Sequence, residues 1–461
     1  MDVAAREQLL AAGLANQRRG ELAGAERCYR LVLTQQPQDF DALYRMGVLA
    51  LQCGNAQGAV HYLARAQDVR PLDADGFYNL GMAHALHYSF DRAQAAFERS
   101  RALDANHPSA AVSLGNVHKL MGRASEAREA YMAAIASPRI DPVLFSQVLV
   151  GLHSNPTVDA QTLYALHREW ARRYAQPLLA RAPVHSNARD MDRRLAIGFV
   201  SPRFCSNIVG HFLRSLLRPL AAEADVFLYH AGAQTDWLTE ELAHCNVRWR
   251  DIATLDDDAA ARLVQRDRID VLVDLAGHAP RNRLLLFARR PAPVQATWLD
   301  YFNTTGLDTI DVIVTDRVST PPALVASGAQ RFAEAVEYMP HSRLCYAAPP
   351  FAPAVSAPAA LREGRVTFGC FGRVDKIGAE VIAVWAAILS NVAGSRLIVK
   401  SEGLEVPAVR DRLLQQFGAY AIAAERILLR GRSTHEALLA EYADVDIALD
   451  PFPYNGGATT C

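Results

Sequence analysis

Small and apolar positions recur every 34 residues at the start of the chain. Gly13, Gly47, Gly81 and Gly115 share one slot, and Ala25, Ala59, Ala93 and Ala127 share another. A bulky slot holds Tyr29, Leu63, Phe97 and Tyr131. A fourth holds Gly20, Gly54 and Gly122, with Tyr88 in the remaining place. The pattern predicts paired antiparallel helices that approach closely at the small residues, with the bulky side chain filling the groove of the next unit. Pro37 and Pro71 mark where one unit stops and the next begins. After "AAIASPRIDP" the period fades into helices such as "AQTLYALHREWARRYAQPL", and then a polar, arginine-containing joint, "RAPVHSNARDMDRR". Beyond it the pattern changes. "RLAIGFV", "ADVFLYH", "IDVLVDLAG", "PVQATWL" and "IDVIVTD" read as strands, with helices at "FLRSLLRPL" and "DAAARLVQRDR" between them. A linker rich in proline and alanine, "AAPPFAPAVSAPAALREG", precedes a second set. Its strands are "RVTFGCF", "SRLIVK", "RILLRG" and "VDIALD"; its helices are "AEVIAVWAAILSNV", "PAVRDRLLQQFG" and "THEALLAEYA". Strands alternating with helices predict parallel sheets covered on both faces. Two such halves around a joint predict two Rossmann-like lobes with a cleft at the carboxyl ends of the strands.

The 34-residue units resemble the tetratricopeptide repeat. The chain therefore divides into repeats over 1–140, a helical connector over 141–193, a first Rossmann-like lobe over 194–345, a linker over 346–364 and a second lobe over 365–461. The repeats read either as a scaffold or as a concave surface for an extended peptide.

Composition narrows the picture. A length of 461 residues accommodates about three domains, and an apolar fraction of 51% supplies their cores. A net charge of −1 argues against nucleic acid or a membrane surface as partner. The seven cysteines are scattered without a CxxC pair or a His/Cys ligand cluster, so neither a disulfide framework nor a zinc site is predicted. The N-terminus lacks the charged and apolar regions of a signal peptide, and no apolar run approaches the roughly 20 residues of a membrane span. These features predict a soluble, reduced, cytoplasmic protein.

Polar groups gather at the predicted strand ends. "FVSPRFCSNIVGHFLRSLL" places His211 at a helix start after the first strand, and "VDLAGHAPRNR" places His278 just past a strand. "FGCFGRVDKI" sets Arg373 and Lys376 after the first strand of the second lobe, and "YNGGATT" adds a glycine loop. Singly each has an ordinary reading: a packed histidine, a solvated lysine, a turn. Together they offer a base, a cation and backbone N–H donors at one cleft, which suits a diphosphate and a proton acceptor.

The stretches "RLAIGFVSPRFCSNIVGHFLRSLL", "DVLVDLAGHAPRNRLLLFARRPAPVQATWL", "NTTGLDTIDVIVTD", "VTFGCFGRVDKI" and "VDIALDPFPYNGGATTC" resemble the O-linked N-acetylglucosamine transferase and SPINDLY family. The likeness runs from about Arg194 to the end, and "RPAPVQATWL" followed by "NTTGL" is its most specific part. It implies an α-solenoid of repeats followed by an α/β glycosyltransferase of the GT-B type, its second lobe truncated here. It further implies transfer of a sugar, usually from UDP-N-acetylglucosamine, to Ser or Thr of proteins with inversion and without a metal ion. On this resemblance His211 is the catalytic base, His278 a second active-site histidine and Lys376 the cation that neutralises the leaving diphosphate. Gly457, Ala458 and Thr459, with Thr460, wrap the nucleotide, and Arg373 and Leu438 line it. Acceptor proteins engage the repeats. The sequence departs from the family at Asp300 and Phe302, where Gly-Tyr-Pro is usual around Tyr301. It departs again at Arg373, commonly an amide, at Leu438, often His, and at Ala458, a threonine elsewhere. The resemblance also implies about a hundred residues beyond Cys461, including a helix whose N-terminus faces the diphosphate; without them the loop is expected to bind donor poorly. Two other readings stand beside the leading one: a repeat-bearing scaffold with inactive lobes, and a transferase using a fucose donor.

Overall fold

The computed structural model describes residues 1–179, 184–188, 190, 192–452 and 454–461. The predicted polar joint over 181–194 therefore lies partly outside the described residues. The chain forms two compact units, Met1–Leu144 with Val406–Leu413, and Phe145–Glu405 with Leu414–Cys461.

The first unit contains four helix pairs: α1 (Val3–Arg18) with α2 (Leu22–Gln35), α3 (Phe40–Gln52) with α4 (Ala56–Val69), α5 (Ala74–Leu86) with α6 (Phe90–Leu103), and α7 (Pro108–Leu120) with α8 (Ala124–Ala136). Side-chain caps start the first helix of each pair. Asp2, Asp39 and Asp73 accept from the amides of Ala5, Ala42 and Gly76 at 2.7–2.9 Å. His107 does the same for Ala110 at 3.1 Å, with Pro108 in the first turn. The turn inside each pair needs a left-handed residue: φ is +79° at Gly20, +69° at Gly54, +57° at Tyr88 and +74° at Gly122. Tyr88 thus takes the glycine conformation without being glycine, at a cost of about 1 kcal/mol.

The bulky slot corrects the expectation drawn from the period. Its side chain rests on the glycine of its own unit rather than in the groove of the next. A Cβ at Gly47 would stand 2.5 Å from Leu63, one at Gly81 2.5 Å from Phe97, and one at Gly115 2.5 Å from Tyr131. Tyr29, Leu63, Phe97 and Tyr131 are fully buried there.

The second unit opens within α9 (Pro142–Leu152) and continues with α10 (Ala160–Trp170), which runs into a π-helical turn, Ala171–Ala175. A seven-stranded sheet follows, built from β1 (Ala196–Ser201), β2 (Asp225–His230), β3 (Arg248–Asp251), β4 (Val271–Asp274), β5 (Val294–Thr297), β6 (Val312–Asp316) and β7 (Ala335–Met339). Its order is β3-β2-β1-β4-β5-β6-β7, all parallel. A second parallel sheet, order β10-β9-β8-β11, holds β8 (Thr367–Cys370), β9 (Arg396–Lys400), β10 (Ile427–Arg430) and β11 (Ile447–Ala448). The apolar strands β1, β2 and β4 pack Phe199, Leu228 and Val273 against Phe212, Leu217 and Leu238 of the covering helices.

Two features differ from the sequence reading. The segment "FLRSLLRPL" is not one helix: Ile208–Leu213 ends and Leu217–Glu223 begins, with Pro219 in the new first turn. Proline has no N–H to give an ongoing helix but fits a helix start. The strands β3 and β7 did not register as strands because they are the sheet's edges, where charged and exposed residues such as Arg248, Asp251 and Glu337 are tolerated. No helix among the described residues is long and apolar enough to cross a membrane. All seven cysteines are free thiols.

Candidate active site

The turn after β4 is shaped by a buried carboxylate. Asp274 accepts from the amides of Ala276 (3.1 Å) and Gly277 (2.7 Å) and from the Thr297 hydroxyl (2.9 Å). Burial pushes its carboxyl up to about 6. Gly277 sits at φ +50° beneath the Tyr301 side chain, so a larger residue would collide there. This turn delivers His278, which is 1% exposed. Its Nε2 lies 2.9 Å from the Thr305 carbonyl and its Nδ1 2.9 Å from the Ser146 hydroxyl of α9. A carbonyl only accepts, so Nε2 carries the proton and Nδ1 accepts from Ser146. Trp170, His167 and Tyr301 surround the ring at centroid distances of 4.9–5.5 Å. Burial holds the imidazole near a pKa of about 3. His278 is thereby fixed as a neutral, fully hydrogen-bonded group that orients the Thr305 loop. The same loop is fastened by Glu334, which accepts from the Thr304 hydroxyl (2.6 Å), the Thr305 amide (2.7 Å) and the Thr305 hydroxyl.

His211 lies in the helix Ile208–Leu213, which follows β1. Its Nε2 is 3.3 Å from the Ser206 hydroxyl, and its buried Nδ1 has no partner among the described residues. The ring meets His435 edge-on at 5.0 Å and Trp237 at 6.1 Å. Burial, then His435 and Arg214, lower its pKa to about 4. His211 and His278 have separate sets of neighbours, and His278 is enclosed.

The groups expected on the diphosphate do come together. Lys376 ends the short 3-10 turn Val374–Lys376 after β8. Its Nζ donates to the Asn455 carbonyl at 2.8 Å and sits 4.3 Å from the centre of the Tyr454 ring. Burial and then Arg373 lower its pKa. The loop itself is tied by Asp450, which accepts from the Gly456 amide (2.8 Å) and the Thr460 hydroxyl (2.9 Å). A Cβ at Gly456 would run into both acceptor and hydroxyl, whereas one at Gly457 would meet nothing within 4 Å. The Thr459 carbonyl accepts from the Tyr442 hydroxyl at 2.7 Å. Ala458 packs on the first-sheet core that includes Phe212 and Leu213, the neighbours of His211 in its helix. Leu438 lies one turn past His435 in the helix His435–Glu441. Arg373 is exposed and spends its charge on Asp375, at 3.0 and 2.8 Å.

The departures at 300–302 are accommodated in the same place. Asp300 is ion-paired with Arg203 at 2.5 Å, and burial raises its pKa. Phe302 meets the Tyr454 ring at 5.2 Å. Tyr454 therefore joins the lysine of the second lobe to the strand ends of the first. It was missed in the sequence, together with Asp450, Glu334, Ser146 and His435. An aromatic beside the glycines was a usable signal for Tyr454, and an Asp ending a strand before them was one for Asp450. Nothing local points to Glu334 or Ser146, whose partners lie far along the chain. No cluster of three or more His, Cys, Asp or Glu suited to a metal ion occurs among the described residues.

Comparison with known proteins agrees with this fold. Residues 177–346 match the model of glycosyl transferase family 41. The chain is 38% identical to the probable UDP-N-acetylglucosamine–peptide N-acetylglucosaminyltransferase SPINDLY of Petunia hybrida, over 65% of this chain and 32% of that protein. It is 36% identical to the protein of the same name from Arabidopsis thaliana, over 65% of this chain and 33% of the other. The chain thus spans about a third of the length of the curated relatives it matches. A solved structure, a lysine-to-methionine mutant of the Thermobaculum terrenum O-GlcNAc transferase, superposes with a TM-score of 0.75 at 32% identity. That match covers 99% of this chain and 80% of the other. Helical repeats followed by two parallel sheets match that structure over nearly the whole chain, and the chain is a member of glycosyl transferase family 41, the O-GlcNAc transferase and SPINDLY family.

Proposed function

We propose that this protein is an inverting protein O-glycosyltransferase of the cytoplasm, moving N-acetylglucosamine from UDP-N-acetylglucosamine to Ser or Thr hydroxyls of proteins that engage its repeats. The observation that carries the reading is the seat of Lys376: an ammonium half-buried beside the glycine loop, 2.8 Å from the Asn455 carbonyl. In the reaction the acceptor oxygen attacks the anomeric carbon, the bond to the diphosphate breaks, and the hydroxyl proton passes to a base. Charge grows on the diphosphate as the sugar leaves, so a fixed cation lowers the barrier more than it tightens ground-state binding. In this reading Lys376 supplies that charge and no metal ion is required. His211 is the proton acceptor in this reading, its imidazole neutral at ordinary pH and its Nδ1 without a hydrogen-bond partner among the described residues. His278 holds the Thr305 loop, and Gly457, Ala458, Thr459 and Thr460 wrap the nucleotide.

The test is UDP release and sugar transfer by the full-length protein, beside calorimetry of UDP binding, for wild type, Lys376→Ala and Lys376→Ala with Arg373→Ala. Turnover is expected to fall about a hundredfold or more, with a smaller change in UDP affinity. A parallel assay with a GDP-fucose donor decides the sugar. Near-normal turnover in the double variant would overturn the transferase reading in favour of a scaffold.

A further inference from the structure

The linker rich in proline and alanine is not free along its whole length. Its opening residues lie along the helix that carries His211 and the turn after it. The Ser215 hydroxyl donates to the Cys345 carbonyl at 3.1 Å. Tyr346 meets Phe212 edge-on at 6.0 Å. Arg214, paired with Glu241 at 2.8 Å, donates to the Ala348 carbonyl, also at 2.8 Å. Pro349 is buried, whereas residues 353–358 are exposed throughout. Phe351 is the last aromatic residue before that exposed run.

Phe351 closes a circle of four rings. It meets Trp237 at a centroid distance of 5.5 Å and His435 at 5.4 Å, both edge-on. Those two rings in turn meet His211, at 6.1 and 5.0 Å. The four rings come from the helix Ile208–Leu213, the helix Trp237–Ala243, the linker and the second-lobe helix His435–Glu441, all within the α/β unit. His211 depends on this packing. Among the described residues its side chain has one hydrogen-bond contact, Nε2 with Ser206 at 3.3 Å, and its Nδ1 has none. One such contact leaves the ring free to turn, because the terminal torsion of a histidine is broad by itself. Aromatic pairs prefer particular geometries, so the rings beside His211 fix the plane of its imidazole. Trp237 and His435 both lean on Phe351, and removing that ring loosens the two together.

We infer that Phe351 is a positioning residue for His211, acting through Trp237 and His435: the linker ring keeps the imidazole in the orientation from which it takes the acceptor proton. The inference rests on the reading that His211 is that proton acceptor. Trp237 belongs to the first lobe and His435 to the second, so the orientation of the base depends on both lobes being seated on the linker.

The experiment compares wild type, Phe351→Ala and Phe351→Tyr of the full-length protein, each also in a His211→Asn background. Sugar transfer from UDP-N-acetylglucosamine gives kcat and the donor KM. Phe351→Ala should lower kcat about tenfold or more and leave the donor KM within about twofold, as expected for a misplaced reacting group. Phe351→Tyr keeps the ring and should restore kcat. In the His211→Asn background Phe351→Ala should lower kcat no further, since no base is left to misplace, whereas an unrelated structural loss would add. A second measurement needs no activity: NMR titration of His211 in protein labelled at histidine Cε1, the signal assigned by its absence in His211→Asn. The charged and titratable groups around this ring are His435, Arg214, Asp236 and Glu241. All of them remain in Phe351→Ala, so a change there reports ring orientation and access of water. The midpoint, about 4 in wild type, should rise by about one unit or more in Phe351→Ala, toward the ordinary value near 6.5, and stay in place in Phe351→Tyr. Phe351→Leu, which keeps apolar bulk without a ring, takes the place of the alanine variant where that one melts early. An unmoved midpoint in a folded ring-less variant, or additive losses of kcat in the His211→Asn background, would overturn the proposal. Wild-type turnover in His211→Asn alone would instead sink the proton-acceptor reading, and the titration would still decide whether Phe351 positions the ring.

Discussion

The repeat unit and the α/β unit solve one problem, fixing helices and loops against neighbours, by different means. In the repeats an apolar ring or leucine drops onto a glycine 16 residues earlier, as Phe97 does on Gly81. In the α/β unit buried polar groups reach much further. Glu334 holds Thr304 and Thr305 some 30 residues away, and Ser146 meets His278 at a separation of 132. Local apolar contacts repeat and are individually replaceable. A buried carboxylate with three donors is not, because its removal strands every donor at once.

That contrast sets the order of expected effects. Glu334→Ala should cost about 3–5 kcal/mol, since two buried hydroxyls and an amide lose their acceptor; denaturant unfolding measures it. A cost no greater than that of a repeat-slot variant would mean that the Glu334 acceptor is as replaceable as an apolar repeat contact. Acid should come next. His278, His211 and His167 all have pKa values held below the ordinary value by burial, the first two at about 3 and about 4. Unfolding lets them take up protons, so their stability is present above about pH 6.5 and is lost as pH falls below it. Asp274, raised to about 6, works the other way and offsets roughly one of them. The balance is a loss of stability between pH 6 and 4.5, at about 1.4 kcal/mol per pH unit for each net proton that unfolding takes up. Melting curves across that range should show it, and a flat profile would contradict the neutral, enclosed state of these rings. Third, Gly81→Leu should cost about 1–3 kcal/mol by overpacking Phe97, and an unchanged melting curve would remove the slot from the account. Smallest is a gain: Tyr88→Gly should stabilise by about 0.5–1 kcal/mol, because glycine adopts φ +57° without strain. A loss there would mean that the Tyr88 ring, 6.1 Å from Phe90, matters more than its backbone.

The same contrast explains what the sequence discloses. The 34-residue register was readable because each contact is repeated four times at one spacing. Most central strands were readable as β-branched runs, while the edges β3 and β7 were hidden by their charges. At the site, Lys376 and the glycine loop could be placed beside each other because each follows a strand of one small sheet. The seat of His278 could not, since its two partners, Ser146 and Thr305, come from a helix and a loop with no local mark. The expected single helix after β1 failed at Pro219, a residue whose position in the segment allowed either reading.

The order of the second sheet also bears on how the protein is made. Phe368 of β8 finds Leu397 of β9 soon after synthesis, but its other neighbour, Ile447 of β11, comes later. A ribosome adds roughly 5–20 residues per second, so one side of β8 stands open for several seconds while the intervening roughly 80 residues emerge. The helix pairs of the repeats close within one unit and need no such wait. During that interval the nascent chain carries finished repeats and an apolar strand open along one edge, and this is the stage at which a chaperone or a slower codon would have most effect on yield.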